Sequence, residues 1–235
     1  MGQQEHIFKQ FDADLEAVRS RVLQMGGLVE AQITNAVEAL TTGNLALADQ
    51  VIAEDHRVNA LEVAIDEDCT HIIARRQPTA GDLRLLLMIV KTITDLERIG
   101  DEAAKIARMS KLIYESGKLT NLRFTEIKLM ATMVLEMLRK SLDSFARVEA
   151  GAATDVARQD IKVDEEFRAI LRHLITFMME DPRLISVSID ILFAAKAIER
   201  IGDHAKNMSE YVVYMVKGKD VRHTSVEEIE REVSE

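Results

Sequence analysis

The chain has 235 residues, a formal net charge of −10 and 47% hydrophobic residues, which is the composition of a globular rather than a disordered protein. Aromatic residues make up only 4%, tryptophan is absent and there are two prolines, so the composition favours long helices over strands. The acidic balance argues against general nucleic-acid binding, because that function requires a basic face. Cys69 is the single cysteine, which excludes a disulfide within the chain, and no apolar segment is long enough to span a membrane. We therefore expect a soluble protein of a reducing compartment, the cytoplasm.

The first half of the chain predicts three helices. Apolar residues recur at steps of three and four from Phe8 to Leu40, which is the pattern of one amphipathic helix. Asn44 is a favourable N-cap for a second helix. The predicted breaks are residues 42–44, residues 78–82 and Gly117, so the three helices end near Leu40, Gln77 and Ser116.

The second half repeats this plan. A fourth helix carries apolar residues from Phe124 to Val148, a fifth extends to Glu180, and a sixth ends near Lys217. Asp181-Pro182 supplies a capping side chain and a first-turn proline between the last two of these. The acidic tail after Gly218 is weakly periodic, and we expect it to be frayed or only partly helical.

Six helices in two sets of three, joined by short turns, indicate an all-α fold made of two antiparallel three-helix bundles. The expected organisation is a first bundle over residues 5–117, a second over residues 118–217 and an acidic tail over residues 218–235.

One segment of the third predicted helix returns in the sixth. Residues 95–103 read Asp-Leu-Glu-Arg-Ile-Gly-Asp-Glu-Ala, and residues 197–205 read Ala-Ile-Glu-Arg-Ile-Gly-Asp-His-Ala, a shift of 102 residues. Similarity of this kind within one chain indicates an internal duplication. Each copy carries a glutamate and an aspartate at i and i+4, which a helix places on one face.

The geometry of antiparallel helical hairpins predicts which other polar residues lie beside these acids. In an antiparallel hairpin both arms rise about 1.5 Å per residue, so residues equally distant from the tip lie at the same level. With Pro78 and Pro182 as the tips, each motif pair faces a second polar pair on the preceding helix. The first predicted layer consists of Asp55, Asn59, Glu97 and Asp101, and the second of Asp160, Asp164, Glu199 and Asp203.

Such layers need positive charge, because carboxylates a few ångströms apart repel one another strongly when partly desolvated. Hard cations bind all-oxygen sites well, so we expect a divalent or ferric ion (iron, manganese or magnesium) at the second layer. Asn59 removes one charge, which makes the first layer the weaker candidate. The alternative is pairing with nearby cationic side chains, namely Arg98, Arg200, Lys105 and Lys206.

Gly100 and Gly202 lie inside the two motifs. A glycine inside a helix costs about 1 kcal/mol relative to alanine, so each position needs a reason. One reason is the close approach of another helix or a bound ion, and the other is simple helix packing; the sequence leaves both open.

Other classes of protein compete with a metal-binding bundle. A carboxylate-bridged metalloenzyme of the ferritin type needs Glu-x-x-His pairs, which the sequence lacks; Asp68-x-x-His71 is the nearest match. A histidine phosphotransfer bundle would use an exposed histidine such as His56 or His173. A metal-free helical adaptor is the third alternative, with partner contacts at the first hairpin tip. We expect no catalytic residues, and the candidate partner-binding residues are Arg75, Arg76, Asp82 and Arg84.

The duplicated Glu-Arg-Ile-Gly-Asp motif, the turn Gln-Pro-Thr-Ala-Gly-Asp-Leu-Arg at residues 77–84 and the six-helix plan closely resemble the PhoU phosphate-signalling family over about residues 5–217. The resemblance implies two bundles related by a pseudo-twofold axis and metal binding through the motif acids. In the family, aspartates on the preceding helix join them, and the matching positions here are Asp55, Asp160 and Asp164. Asn59 departs from the usual aspartate.

The resemblance also implies a function. Members of the family are negative regulators of the phosphate-starvation response that couple a phosphate ABC transporter, through its ATPase, to a membrane sensor histidine kinase. We therefore expect this chain to reach the membrane only through these partners, to bind no nucleic acid and to form a homodimer.

Overall fold

Seven α-helices account for nearly all of the chain that the structure, a computed structural model, describes, which is residues 2–117 and 124–234 with side chains from residue 10 onward. These residues contain no strand. The helices are α1 (Gly2–Thr42), α2 (Leu45–Arg76), α3 (Ala80–Glu115), α4 (Thr125–Arg147), α5 (Ala153–Glu180), α6 (Ile185–Lys217) and α7 (Val226–Ser234), with a 3-10 turn at Pro182–Leu184. The all-α prediction is confirmed.

The breaks between helices fall at or near the predicted positions, although α3 begins at Ala80, inside the turn predicted at residues 78–82. Asn44 caps α2 by accepting a hydrogen bond from the backbone N–H of Leu47 at 3.1 Å. Asp181 accepts one from the N–H of Arg183 at 3.0 Å, and Pro182 begins the 3-10 turn. Gly218 ends α6 with a φ of 74°, a left-handed conformation that favours glycine.

The first three helices pack together, and so do α4, α5 and α6. The apolar stripe of α1 is buried as predicted, from Leu15 at 9% exposed to Leu40 at 0%. The main apolar core runs without a break through both bundles, because α3 and α6 pack against each other more extensively than any other pair of helices. The predicted division between the bundles falls at residues 118–123, outside the described residues.

Polar contacts fix the antiparallel pairing of α3 and α6. The Nδ1 atom of His204 lies 2.6 Å from Oδ1 of Asp95, and Asn207 donates to the same oxygen at 3.3 Å. About two turns further along α3, Arg200 lies 2.9 Å from the buried carboxylate of Glu102. These side-chain contacts therefore tie α3 of the first bundle to α6 of the second.

The tail is partly helical, as expected, and its helix is packed against the second bundle rather than frayed. Ile229 of α7 is 1% exposed, and α7 contacts both α5 and α6. Within the described ranges, no helix combines the length and the apolar character needed to cross a membrane.

The shared core generates a test of stability. Ile99 of α3 is 0% exposed, so Ile99→Ala is expected to lower the free energy of unfolding by about 2–5 kcal/mol through lost burial and a residual cavity. Ile189 on α6 is 39% exposed, and Ile189→Ala is the matched control, expected to cost less than about 1 kcal/mol. Urea denaturation followed by circular dichroism measures both; equal costs would contradict the position of α3 at the centre of the core.

Candidate functional site

Three of the four residues predicted for the first layer lie close together between α2 and α3. Burial, followed by repulsion from Asp101, raises the pKa of Asp55. Burial, followed by repulsion from Asp101, also raises the pKa of Glu97, and Glu62 and Asp55 add to this effect. Asn59 is exposed, and no hydrogen bond joins it to these carboxylates in the described part of the chain. The first layer is therefore a cluster of carboxylates in which Asn59 takes no visible part.

Gly100 allows three helices to meet beside this cluster. A Cβ at Gly100 would lie 3.2 Å from Oε1 of Gln32 on α1, 3.4 Å from Val58 on α2 and 3.6 Å from Oδ1 of Asp55. Gln32 is 5% exposed, and neither polar atom of its side chain has a hydrogen-bond partner among the described residues. Oδ1 of Asp55 is likewise buried and unpaired. Buried polar atoms without partners are unusual, and here three of them lie close together where α1, α2 and α3 meet.

All four residues predicted for the second layer interact across α5 and α6. Asp160 and Glu199 are 7% and 8% exposed, whereas Asp203 retains contact with solvent. Burial raises the pKa of Asp203 to about 6, with repulsion from Glu199, Asp160 and Asp164 adding to the effect. This layer carries more charge than the first, as the sequence predicted.

Cationic side chains partly neutralise both layers. Arg98 lies 3.5 Å from Glu97 and 3.8 Å from Asp101 in the first. In the second, Lys206 donates to Asp160 at 2.9 Å. The remaining contacts of that layer are Lys196 with Glu199, and Arg168 with Asp164 at 3.6 Å.

The other two predicted cationic side chains form their ion pairs outside the two layers. Arg200 and Lys105 both pair with Glu102, at 2.9 and 3.3 Å, rather than with the carboxylates of either layer. Oε2 of Glu199 is buried and has no hydrogen-bond partner among the described residues. Ion pairing therefore satisfies the second layer only in part.

The donor chemistry of the layers suits a hard cation, since each offers several carboxylate oxygens and at least one buried oxygen without a partner. The side-chain arrangement is not that of a formed metal site. In residues 2–117 and 124–234, no group of three or more His, Cys, Asp or Glu side chains is placed to hold a metal ion together. Metal binding at either layer remains a prediction.

The second motif glycine has a different environment from the first. A Cβ at Gly202 would meet only apolar side chains, Val134 at 3.3 Å, Val163 at 3.6 Å and Met137 at 3.7 Å. Helix packing therefore accounts for Gly202. At Gly100 the close approach of α1 and α2 brings polar atoms to the backbone. The two glycines of the duplication therefore have different neighbours, polar at Gly100 and apolar at Gly202.

The four candidate partner-binding residues do not form one surface. Arg75 and Arg76, together with Arg21 and His71, line an open cleft of about 300 Å³ between α1 and α2, where Arg76 pairs with Asp14 at 3.1 Å. By contrast, the side chain of Arg84 lies against Gly218 at the end of α6. Asp82, in the first turn of α3, is partly buried. Partner binding at these residues remains a prediction.

Sequence reasoning missed several polar residues near the layers. Glu62 follows Asp55 by seven positions on the same face of α2, a spacing that the sequence shows. Lys196 precedes Glu199 by three positions and was recoverable in the same way. Gln32 lies on a helix remote in sequence, and burial raises the pKa of Glu210, one turn after Lys206, to about 7. Neither of the last two has a local pattern that predicts its burial.

Fold and site together define a class of protein: a duplicated α-helical bundle in which each half carries an acidic i, i+4 pair facing carboxylates on the preceding helix. The PhoU domain model matches the chain twice, at residues 22–110 and 127–212, which correspond to the two bundles. The chain belongs to the PhoU family.

Relatives and solved structures agree with this assignment. A Pseudomonas aeruginosa protein named phosphate-specific transport system accessory protein PhoU homolog is 48% identical over 97% of this chain and 94% of its own length. The Escherichia coli K12 protein named phosphate-specific transport system accessory protein PhoU is 44% identical over 97% and 93%. The crystal structure of PhoU from Pseudomonas aeruginosa covers 89% of this chain and all of its own with a TM-score of 0.86 at 48% identity. The phosphate transport system regulatory protein PhoU from Streptococcus pneumoniae covers 90% and 99% with a TM-score of 0.82 at 29% identity.

The charge of the second layer predicts a pH dependence of stability. Burial and the neighbouring carboxylates raise the pKa of Asp203 to about 6 in the folded chain, whereas an unperturbed aspartate has a pKa of 3.8. The unfolded state therefore ionises first, and stability is lost as the pH rises through this window. In buffer with a chelator, Asp203→Asn is expected to raise the free energy of unfolding by about 1 kcal/mol at pH 8, a figure reduced for solvent screening, and by less near pH 5.

Urea midpoints across this pH range measure the effect. Asp12→Asn is the matched control, because Asp12 is an exposed aspartate outside both layers. If Asp203→Asn raises the free energy of unfolding by the same amount at every pH, the increase does not arise from the titration of the Asp203 carboxyl.

Proposed function

We propose that the chain is an accessory regulator of phosphate transport that represses the phosphate-starvation response and has no catalytic activity of its own. The observation that carries the proposal is the near full-length similarity to relatives named as accessory proteins of the phosphate-specific transport system. The Streptococcus pneumoniae neighbour is named as a regulatory protein of the phosphate transport system. An adaptor of this kind needs binding surfaces rather than a catalytic centre, and the long exposed helix faces supply them.

Within this function, we propose that the second layer binds a divalent or ferric cation through Asp160, Asp164, Glu199 and Asp203. Repulsion among these carboxylates and the unpaired Oε2 of Glu199 support the proposal. A cation would replace Lys196 and Lys206 as the source of positive charge, which requires both side chains to rotate away. The first layer, with Asp55, Glu97 and Asp101, is proposed as the weaker site because Asn59 lacks a charge.

The metal-free adaptor is the second candidate. Lys206 already pairs with Asp160 at 2.9 Å, and Lys196 pairs with Glu199, so the acids can also be held by protein cations alone. Under this alternative the layers stabilise the bundles and take no part in signalling.

The proposed partners are the ATPase of a phosphate ABC transporter and a sensor histidine kinase. We propose that a homodimer of this chain binds them at the cytoplasmic side of the membrane. The resemblance to the family supports these partners. The polar cleft lined by Arg75 and Arg76 is one candidate contact for them.

Metal content separates the two candidates. Protein purified without chelator or affinity tag is expected to retain metal, and the double variant Glu199→Ala/Asp203→Ala is expected to lose it, because half of the carboxylate donors are gone. Elemental analysis by mass spectrometry gives the metal content per chain, and thermal unfolding with and without manganese or iron gives its effect on stability.

The control for this experiment is Asp66→Ala/Glu67→Ala, which removes two exposed acids of α2 outside the layer. It is expected to leave metal content unchanged. If wild type and the layer variant hold the same amount of metal, or if neither binds any after metal is added, the cation proposal is wrong and the adaptor alternative stands.

Gene expression in the host tests the regulatory role. Deletion of the gene is expected to raise the expression of phosphate-starvation genes in phosphate-rich medium, and a plasmid-borne wild-type copy is expected to restore repression. Restoration by Asp66→Ala/Glu67→Ala but not by Glu199→Ala/Asp203→Ala would link repression to the second layer. If the expression of phosphate-starvation genes is unchanged in the deletion strain, and the genome holds no second family member, the proposed regulatory role is wrong.

A further inference from the structure

The second bundle has an apolar groove that is separate from the main core. Ala150, Ala153 and Ala157 form one side of it, on α5 and the turn before it, and Val213 of α6 forms the other. These side chains belong to a small cluster of their own that includes Val221 and Ile229 from the C-terminal tail. Because the side chains of the groove are small, a helix can approach α5 closely there.

The occupant of this groove is α7. Val226, Ile229 and Val233 lie at i, i+3 and i+7 and pack on the alanines, and Ile229 is 1% exposed. The outer face of α7 is acidic, with Glu227, Glu228, Glu230 and Glu232.

Charge on the rim of the groove complements this acidic face. Arg158 of α5 lies 2.7 Å from Glu230 and also attracts the carboxylate of Glu227. The neighbouring surface cleft that Arg158 also lines carries both signs of charge, with Lys140 and Lys162 beside Glu136 and Asp155. The groove thus selects a helix with three aliphatic residues on one face and carboxylates beside them.

In the described part of the chain, α7 is the shortest of the α-helices and contacts α5 and α6 alone. It has nine residues, a length at which an isolated helix is marginal in water. It is held by the groove, by the ion pairs Arg158–Glu230 and Lys219–Glu232, and by a capping box between Ser225 and Glu228. An eight-residue segment, 218–225, separates it from α6. The tail also lies beyond residue 212, where the second match to the family model ends.

We propose that the alanine-lined groove is a docking site for an acidic amphipathic helix of a partner protein, and that α7 closes it by occupying it as an internal competitor. Release of α7 leaves the main core intact and uncovers the groove and Arg158 together. A partner helix with aliphatic residues at i, i+3 and i+7 and glutamates on its rim then takes the same position. This inference does not rest on the proposed metal site or on the phosphate response.

The test uses full-length protein with Ile229→Asp, which places a charge at the centre of the small cluster and undocks α7. The matched control is Arg231→Asp, which adds the same side chain to the exposed face of α7. The probes are two fluorescein-labelled peptides, one of residues 220–235 and one of unrelated sequence that keeps only the aliphatic spacing and the glutamates. Fluorescence anisotropy gives their affinity for each protein.

Both peptides are expected to bind the Ile229→Asp chain at least about tenfold more tightly than wild type, because α7 occupies the groove for most of the time in wild type. Arg231→Asp is expected to behave as wild type. Adding Arg158→Glu to Ile229→Asp is expected to weaken binding, and a peptide with lysines in place of the glutamates is expected not to bind.

Hydrogen exchange on the wild-type chain gives an independent check that needs no variant. The amides of α7 are expected to exchange faster than those of α6 around Val213, which reports local release. Equal protection in α7 and α6, or equal peptide binding by wild type and Ile229→Asp, would overturn the proposal. So would a wild-type dimer that Ile229→Asp dissociates, because the groove would then be filled by α7 of a second copy.

Discussion

The packing of α3 against α6 is the constraint on which the rest of the structure depends. Each of these helices carries one copy of the duplicated motif. Each copy contacts the shared core on one side and the preceding helix of its own bundle on the other. Ile99 and Ile201 turn into the shared core at 0% exposed, while the motif acids face the preceding helix of their own bundle. The core residues and the acids of each motif lie on the same turn of helix. A displacement of α3 or α6 that misplaced the core residues would therefore also separate the carboxylates. Fold and candidate site are therefore specified by the same residues.

The duplication is not symmetric in charge. Asp95 in the first copy corresponds to Ala197 in the second, and Glu102 corresponds to His204. The contact of Asp95 with His204 depends on this divergence, whereas the contact of Glu102 with Arg200 uses an arginine that both copies carry. Because Asp95 faces His204, the counterpart of Glu102, an exact repeat of the first copy would place an aspartate opposite a glutamate, and the two carboxylates would repel each other. Divergence of the two copies thus supplies one of the polar contacts between α3 and α6. It also leaves the second layer with more negative charge than the first, because Asn59 stands where the second layer has Asp164.

Helix boundaries could be predicted from the sequence because they are marked by residues with local reasons to break a helix, such as Gly43, Asn44, Asp181 and Gly218. The acidic layers could be predicted because antiparallel arms keep equal distances from a tip, which requires no knowledge of side-chain conformation. The burial of Gln32, the pairing of Arg200 with Glu102 and the docking of α7 could not, since each depends on contacts between helices far apart in sequence. Arg200 is the clearest case, because its position in the motif pointed to the acids of its own helix and its guanidinium reaches the other bundle.

The second layer also shows how a bundle can hold like charges without losing its fold. A carboxyl whose pKa is raised in the folded state lowers stability at neutral pH, so the four acids are not the arrangement that packing alone would favour. Their cost is limited by lysines rather than by buried arginines, and lysine side chains leave a carboxylate more readily because they make no forked pair of hydrogen bonds. The ammonium of Lys196 contacts Glu199 and at the same time lies 5.3 Å from the centre of the Phe167 ring. Positive charge at this layer therefore comes in part from two lysine side chains of α6, each in contact with one of its buried carboxylates.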